Sequence, residues 1–120
     1  MPQPANGPLE RKDVGPVTVL RINTPMLRGD QDSDELFEQL DRLVENSRER
    51  KFVLDVGAIQ YFASAALGKL VSLNRKARAA DATLAVCNVT PSVARLLEVT
   101  RLSDVLLAYA SEEEAVAALS

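Results

Sequence analysis

The spacing of apolar residues along the chain changes repeatedly between one typical of strands and one typical of helices. The chain begins with a predicted strand over 9–14, and Gly15-Pro16 forms a turn into a second strand over 17–22, so this pair is predicted to be a hairpin. Short apolar, β-prone segments predict three further strands, over 51–56, over 82–89 and within 105–109.

Helical spacing predicts four helices, one before each of these later strands and one after the last. Their predicted starts are Ser33, Ser64, Thr90 and Ser111, which all carry a hydroxyl that can accept a backbone N–H. The predicted order is therefore β-β-α-β-α-β-α-β-α. This order indicates a small α/β domain with a mixed, mainly parallel sheet of about five strands and about four helices.

The length of 120 residues allows one domain, and 47% hydrophobic residues are enough to form its core. Residues 1–8 contain three prolines and a glycine, so we interpret them as a flexible lead-in to a domain over 9–120.

Composition excludes several classes of function. The chain has 14 Lys and Arg against 17 Asp and Glu, so its net charge of −3 argues against nucleic acid as a partner. It has no histidine, and Cys87 alone can form neither an internal disulfide nor a thiolate metal cluster. No apolar run approaches the roughly 18 residues that span a membrane, and the first residues lack the apolar core of a signal peptide. We therefore expect a cytoplasmic monomer or weak dimer without metal, cofactor or membrane contact.

The segment 57–64 attracts most attention, because an apolar loop ends at one hydroxyl, Ser64, followed by two alanines. One interpretation is that Ser64 only caps the helix that starts there. The other is phosphorylation, which a helix N-terminus favours through its unpaired N–H groups and partial positive charge. A nucleophilic serine enzyme is disfavoured, because there is no histidine and Leu67 stands where a Ser-x-x-Lys pair requires lysine.

Other candidate residues have simpler interpretations. Asp30, Asp32 and Asp34 alternate like half of a calcium loop but lack its glycine and terminal glutamate, so helix-dipole complementation is preferred. Asp55 is interpreted as a hydrogen-bonded turn residue and Cys87 as part of the core.

From 52 to 106 the chain resembles the STAS domain of bacterial anti-sigma factor antagonists. The resemblance lies in a strand ending Leu-Asp-Val, an apolar loop, a serine among small residues before Leu-Gly, and a later Asn-Val-Thr-Pro. The preceding hairpin and helix agree in order. Ser64 falls on the serine that a partner kinase phosphorylates in this family. Ala63, Ala65 and Ala66 replace the usual aspartate, second hydroxyl and glycine, and Arg101 replaces another glycine.

The resemblance implies a partner switch rather than an enzyme. Unphosphorylated protein would bind an anti-sigma factor that is also the serine kinase, phosphorylation of Ser64 would release it, and a protein phosphatase would reset the cycle. Asp30, Tyr61, Phe62, Ala63 and Ala65 would form the interface. Aromatic side chains dominate interface hot spots, so at least one of Tyr61 and Phe62 is expected to be partly exposed; the alternative is that both fill the core. The alternative is a STAS scaffold that does not cycle, or a module that binds a small ligand.

Overall fold

The computed structural model describes residues 9–46 and 48–120, and its main elements follow the predicted order. The strands are β1 (Leu9–Val14), β2 (Val17–Ile22), β3 (Met26–Leu27), β4 (Lys51–Asp55), β5 (Tyr61–Phe62), β6 (Thr83–Cys87) and β7 (Leu107–Tyr109). The helices are α1 (Gln31–Asn46), α2 (Ser64–Ala79), α3 (Pro91–Val99) and α4 (Glu112–Leu119). The predicted lead-in at 1–8 lies outside the described residues.

Five strands form one sheet in the order β1-β2-β4-β6-β7. β1 pairs antiparallel with β2, and every later pairing in this sheet is parallel. The predicted α/β fold, with a mixed and mainly parallel sheet, is therefore confirmed. Gly15 lies in the hairpin turn with φ +59, a left-handed conformation that glycine adopts at little steric cost.

Each face of the sheet has its own apolar core. On one face, α1, α2 and α3 pack on alternate strand residues, including Leu20, Phe52 and Val86. On the other face, α4 contributes Ala115 and Leu119 to a smaller cluster with Val17, Val19, Val53, Ala85 and Cys87. Side chains alternate between two covered faces, so residues 52–54 of β4 and 84–87 of β6 are all apolar, as the sequence predicted.

Two of the predicted helix starts are confirmed. The Thr90 Oγ1 accepts the backbone N–H of Val93 at 3.4 Å, and Pro91 is the first residue of α3. The Ser111 Oγ accepts the N–H of Glu114 at 3.1 Å at the start of α4.

Ser33 does not cap α1, so that prediction was wrong. The helix begins at Gln31, and the Asp30 Oδ1 accepts the N–H of Ser33 at 3.2 Å. Ser33 lies buried in the first turn, where its Oγ accepts the N–H of Gly29 at 3.1 Å. Asp30 and Ser33 are both good capping residues, and the chain uses the earlier one.

Two features were not predicted. β3 and β5 form a separate parallel pair of two residues each. A 3₁₀ turn, Leu102–Asp104, follows α3, and Arg101 precedes it with φ +64. That left-handed conformation explains why a glycine is usual there in the family that the sequence resembles.

Candidate functional site

The loop after β4 is held by backbone hydrogen bonds to the segment around β3. The N–H groups of Gln60 and Tyr61 both donate to the Pro25 carbonyl, at 2.7 and 3.0 Å. The N–H of Ala63 donates to the Leu27 carbonyl at 2.8 Å. Two chain segments far apart in sequence thus fix the backbone that leads into α2.

Ser64 is the first residue of α2 and is exposed to solvent. Ala63 occupies the N-cap position, with φ −71 and ψ 154, and provides no side-chain cap. The interpretation of Ser64 as the helix cap is therefore wrong, because the helix starts one residue earlier than a serine cap requires. Within the described chain, the Ser64 hydroxyl makes no hydrogen bond, and the N–H groups of Ser64 and Ala65 have no backbone acceptor.

The start of α1 lies against the start of α2. Gly29 has φ +79, and a Cβ built on it would lie 2.5 Å from the Ala65 Cβ. Lys69 of α2 also forms an ion pair with Asp34 of α1. These contacts place the exposed Asp30 beside the serine-bearing end of α2.

The charges around this end of the molecule have both signs. Two helix N-termini meet here, and each carries a partial positive charge from its backbone dipoles. Asp30 caps one of them and is exposed, whereas Asp34 and Lys69 are paired. Arg28 is exposed and its Nη2 lies 2.9 Å from the Met26 Sδ. The site thus combines a free hydroxyl with a backbone that favours an added anion.

The two predicted aromatic contacts behave differently. Tyr61 is 54% exposed, whereas Phe62 is 6% exposed and belongs to the main core. The expectation that at least one of them is exposed is confirmed by Tyr61. Phe62 is not on the surface, because successive strand residues point to opposite sides and its side chain faces inward beside Leu27.

Met26 belongs to this surface and was missed from the sequence. It is 47% exposed and pairs in register with Tyr61, so the two side chains form an apolar pair on the outside of β3 and β5. A strand of two residues gives no periodic signal, and only the pairing with Tyr61 reveals it. We call Met26, Asp30, Tyr61, Ala63, Ser64 and Ala65 the switch surface.

The remaining candidates have structural roles. The Asp55 Oδ1 accepts the N–H of Gly57 at 2.9 Å, as expected of a turn aspartate. Cys87 is fully buried, and burial, with a smaller contribution from the Asp55 carboxylate, raises the pKa of its thiol to about 12. Over residues 9–46 and 48–120, no group of three Asp, Glu or Cys side chains is arranged to hold a metal.

The model of the STAS domain family matches residues 9–115, and the chain belongs to this family. The fold is similar to that of an anti-sigma-factor antagonist (STAS) domain protein from Planctomyces limnophilus, with a TM-score of 0.83 and 21% identity over 97% of this chain and 100% of that one. No helix in the described parts of the chain is long and apolar enough to cross a bilayer.

Two further solved structures share the fold at lower identity. One is the Bacillus cell fate determinant SpoIIAA in its phosphorylated form, with a TM-score of 0.70 and 14% identity over 93% of this chain and 99% of that one. The other is a sulfate transporter family protein from Wolinella succinogenes, with a TM-score of 0.73 and 12% identity over 88% of this chain and 86% of that one. The same fold therefore occurs in proteins of different roles.

Proposed function

We propose that this protein is a cytoplasmic anti-sigma factor antagonist that works by partner switching. Unphosphorylated protein binds an anti-sigma factor kinase through the switch surface, phosphorylation of Ser64 releases that partner, and a protein phosphatase restores the free hydroxyl. The observation that carries the proposal is the Ser64 hydroxyl, which is exposed and makes no hydrogen bond in the described chain at the start of α2. The similarity in fold between this chain and a protein solved in a phosphorylated form supports the same conclusion.

The unmodified switch surface suits a protein partner. Met26 and Tyr61 offer two adjacent apolar anchors, and aromatic side chains are frequent among residues that dominate binding energy. Ala63, Ser64 and Ala65 add small side chains beside them, so a partner can approach the backbone of the helix start closely. Ser64 is a phosphate acceptor in this mechanism and performs no catalysis.

A phosphate on Ser64 affects folding and binding differently. Within the protein, the helix N-terminus favours the added charge of about −1.5 to −2 by roughly 0.3–1 kcal/mol, so the domain stays folded. In a complex, the same charge must lose water and would face whatever the partner presents. Lys69, the first lysine along α2, already pairs with Asp34 and therefore does not neutralise the charge of the phosphate. A cost of about 2.8 kcal/mol is enough to weaken binding a hundredfold.

The experiment uses candidate serine kinases and anti-sigma factors, beginning with any that are encoded next to the gene of this protein. Wild type, Ser64→Ala and Ser72→Ala are incubated with each kinase and ATP, and phosphosites are located by mass spectrometry. Ser72 is the matched control, because it is another exposed serine on α2. We expect phosphate on wild type and on Ser72→Ala, and none on Ser64→Ala.

Binding is then measured by calorimetry for the unmodified, phosphorylated and Ser64→Ala proteins. We expect Ser64→Ala to bind like unmodified wild type and the phosphorylated protein to bind at least about a hundredfold more weakly. Phosphate on another residue, or equal affinity of the two forms of wild type, would disprove the switch.

The second candidate is a STAS scaffold that does not cycle, or a module that binds a small ligand. The shared fold with a sulfate transporter family protein keeps this candidate open. It predicts binding of a partner or ligand that does not depend on the phosphorylation state of Ser64. The binding measurements above therefore separate the two.

A further inference from the structure

The two edges of the sheet differ sharply in charge. β1 forms one edge and carries four consecutive charged residues, Glu10 to Asp13, which are all exposed. Charged side chains on an edge strand discourage pairing with another chain. β7 forms the other edge and has the sequence Leu-Ala-Tyr, with no charge. This edge lacks the protection that β1 has.

Exposed apolar side chains also collect at the β7 edge. Leu107 in β7 is 44% exposed, and the segment that leads into the strand contributes Val99 at 68% and Val105 at 43%. Among the described residues, the other exposed large apolar side chains are Met26 and Tyr61 of the switch surface. We call Val99, Val105 and Leu107 the edge patch.

We propose that the β7 edge pairs with β7 of a second copy of this chain, antiparallel and about a two-fold axis at Ala108. The two copies of Ala108 then face each other at the axis. Leu107 of each copy lies opposite Tyr109 of the other. Such a pair of an aliphatic and an aromatic residue stabilises antiparallel strands.

The orientation of the side chains fits this register. Leu107 pairs with Ala85 and Tyr109 with Cys87, so both side chains point to the face of the sheet that carries α4. Tyr109 already packs partly on that cluster, whereas Leu107 is left exposed. The second copy would therefore cover Leu107 with an aromatic ring on the correct face.

Charge complementarity favours a second copy as the occupant. Antiparallel pairing brings the segment before β7 of one copy towards the segment after β7 of the other. Arg101 is exposed before the strand and Glu114 is exposed after it, and neither of them has an ion-pair partner in the described chain. Symmetry supplies this attraction twice. The turn before β7 also carries the acidic Asp104, so the attraction is modest and depends on salt.

This proposal is independent of the role of Ser64. Three-residue strands form a small interface, and small interfaces give weak complexes, so the dimer is expected to exchange with monomer. Sedimentation is measured for wild type over a wide range of concentration. We expect a reversible monomer–dimer equilibrium that Leu107→Lys weakens about tenfold or more, because it puts a charge on the pairing edge.

The matched control is Met26→Lys, because Met26 and Leu107 are exposed to a similar degree. Met26→Lys is expected to leave the dimer unchanged and to weaken binding to the anti-sigma factor. Leu107→Lys is expected to weaken the dimer and to leave binding to the anti-sigma factor unchanged. Failure of the dimer and failure of the switch are thereby distinguished. A second comparison tests the charges: Arg101→Glu weakens the dimer, and adding Glu114→Arg restores it.

A covalent test keeps the proposal open to disproof if Leu107→Lys does not fold. Ala108→Cys lies on the proposed axis, so it is expected to form a disulfide between copies on mild oxidation, while Arg11→Cys on the opposite edge does not. Buried Cys87 provides no competing thiol. Wild type that stays monomeric at every concentration, or Ala108→Cys that cross-links no better than Arg11→Cys, would overturn the dimer. Loss of anti-sigma factor binding in Leu107→Lys, with wild type monomeric, would show that the edge patch binds that partner instead.

Discussion

Gly29 and Ala65 lie in contact where the starts of α1 and α2 meet. A Cβ on Gly29 would lie 2.5 Å from the Ala65 Cβ and 3.5 Å from the backbone nitrogen of Ala66, and Gly29 has φ +79. Only glycine combines this backbone conformation with so close an approach. The contact sets the distance between Asp30 and Ser64, and hence the shape of the switch surface.

Gly29→Ala is expected to destabilise the domain by about 3 kcal/mol, since the left-handed conformation costs roughly 1–2 kcal/mol and the clash adds roughly 1–3 kcal/mol. Gly15→Ala is the matched control, because Gly15 has φ +59 but no atom within 4 Å of the added Cβ. It should lose only about 1–2 kcal/mol. Urea denaturation measures both variants, and equal losses would contradict the close contact.

Tyr61 and Phe62 are adjacent but have opposite environments, so alanine should affect them differently. Phe62→Ala removes a core side chain and is expected to cost about 3–5 kcal/mol. Tyr61→Ala is expected to change stability by no more than about 0.5 kcal/mol and to weaken partner binding. Thermal unfolding and calorimetry measure the two effects. A large loss of stability in Tyr61→Ala would show that its role is structural.

The sequence predicted the main sheet because its strands and helices are long enough to show a pattern. β1 carries four charged residues because it lies at the edge of the sheet. β4 and β6 are mostly apolar because they lie inside the sheet. β3 and β5 were missed, because two residues have no period and their pairing depends on contacts between distant segments.

The site was predicted less completely than the fold. The position of Ser64 came from the resemblance and from its small neighbours, but capping preference could not fix which residue begins α2. For α1, Asp30 and Ser33 are both good capping residues, and the sequence did not show which one caps the helix. The predicted start was Ser33, whereas α1 begins at Gln31. Met26 and Gly29 joined the site only through tertiary contacts.

Burial of Cys87 predicts a loss of stability at alkaline pH. Its thiol has a pKa raised from 9.0 to about 12, so between these values the unfolded chain releases a proton that the folded domain retains. The contribution of the buried thiol to the free energy of unfolding is therefore fully present below pH 9. Between pH 9 and pH 12 it is lost, by about 1.4 kcal/mol per pH unit. Denaturation at pH 8 and pH 10 measures this fall. Cys87→Ala is the control and should show a smaller fall over the same interval; an equal fall would mean that other groups cause it.

Ser64→Ala and Thr90→Ala compare two hydroxyl residues at helix starts that have different roles. The Thr90 Oγ1 accepts the N–H of Val93 at 3.4 Å, so Thr90→Ala leaves that N–H without its cap and is expected to cost about 1 kcal/mol. The Ser64 hydroxyl accepts no such bond, and Ser64→Ala is expected to change stability by less than about 0.5 kcal/mol. Alanine is also a good helix former at the first position of α2, which removes any cost of propensity.

Chemical denaturation of both variants at neutral pH measures the difference. A loss of about 1 kcal/mol in Ser64→Ala would mean that its hydroxyl caps α2 in solution. The hydroxyl would then be engaged by the helix, and phosphorylation would have to break that bond first.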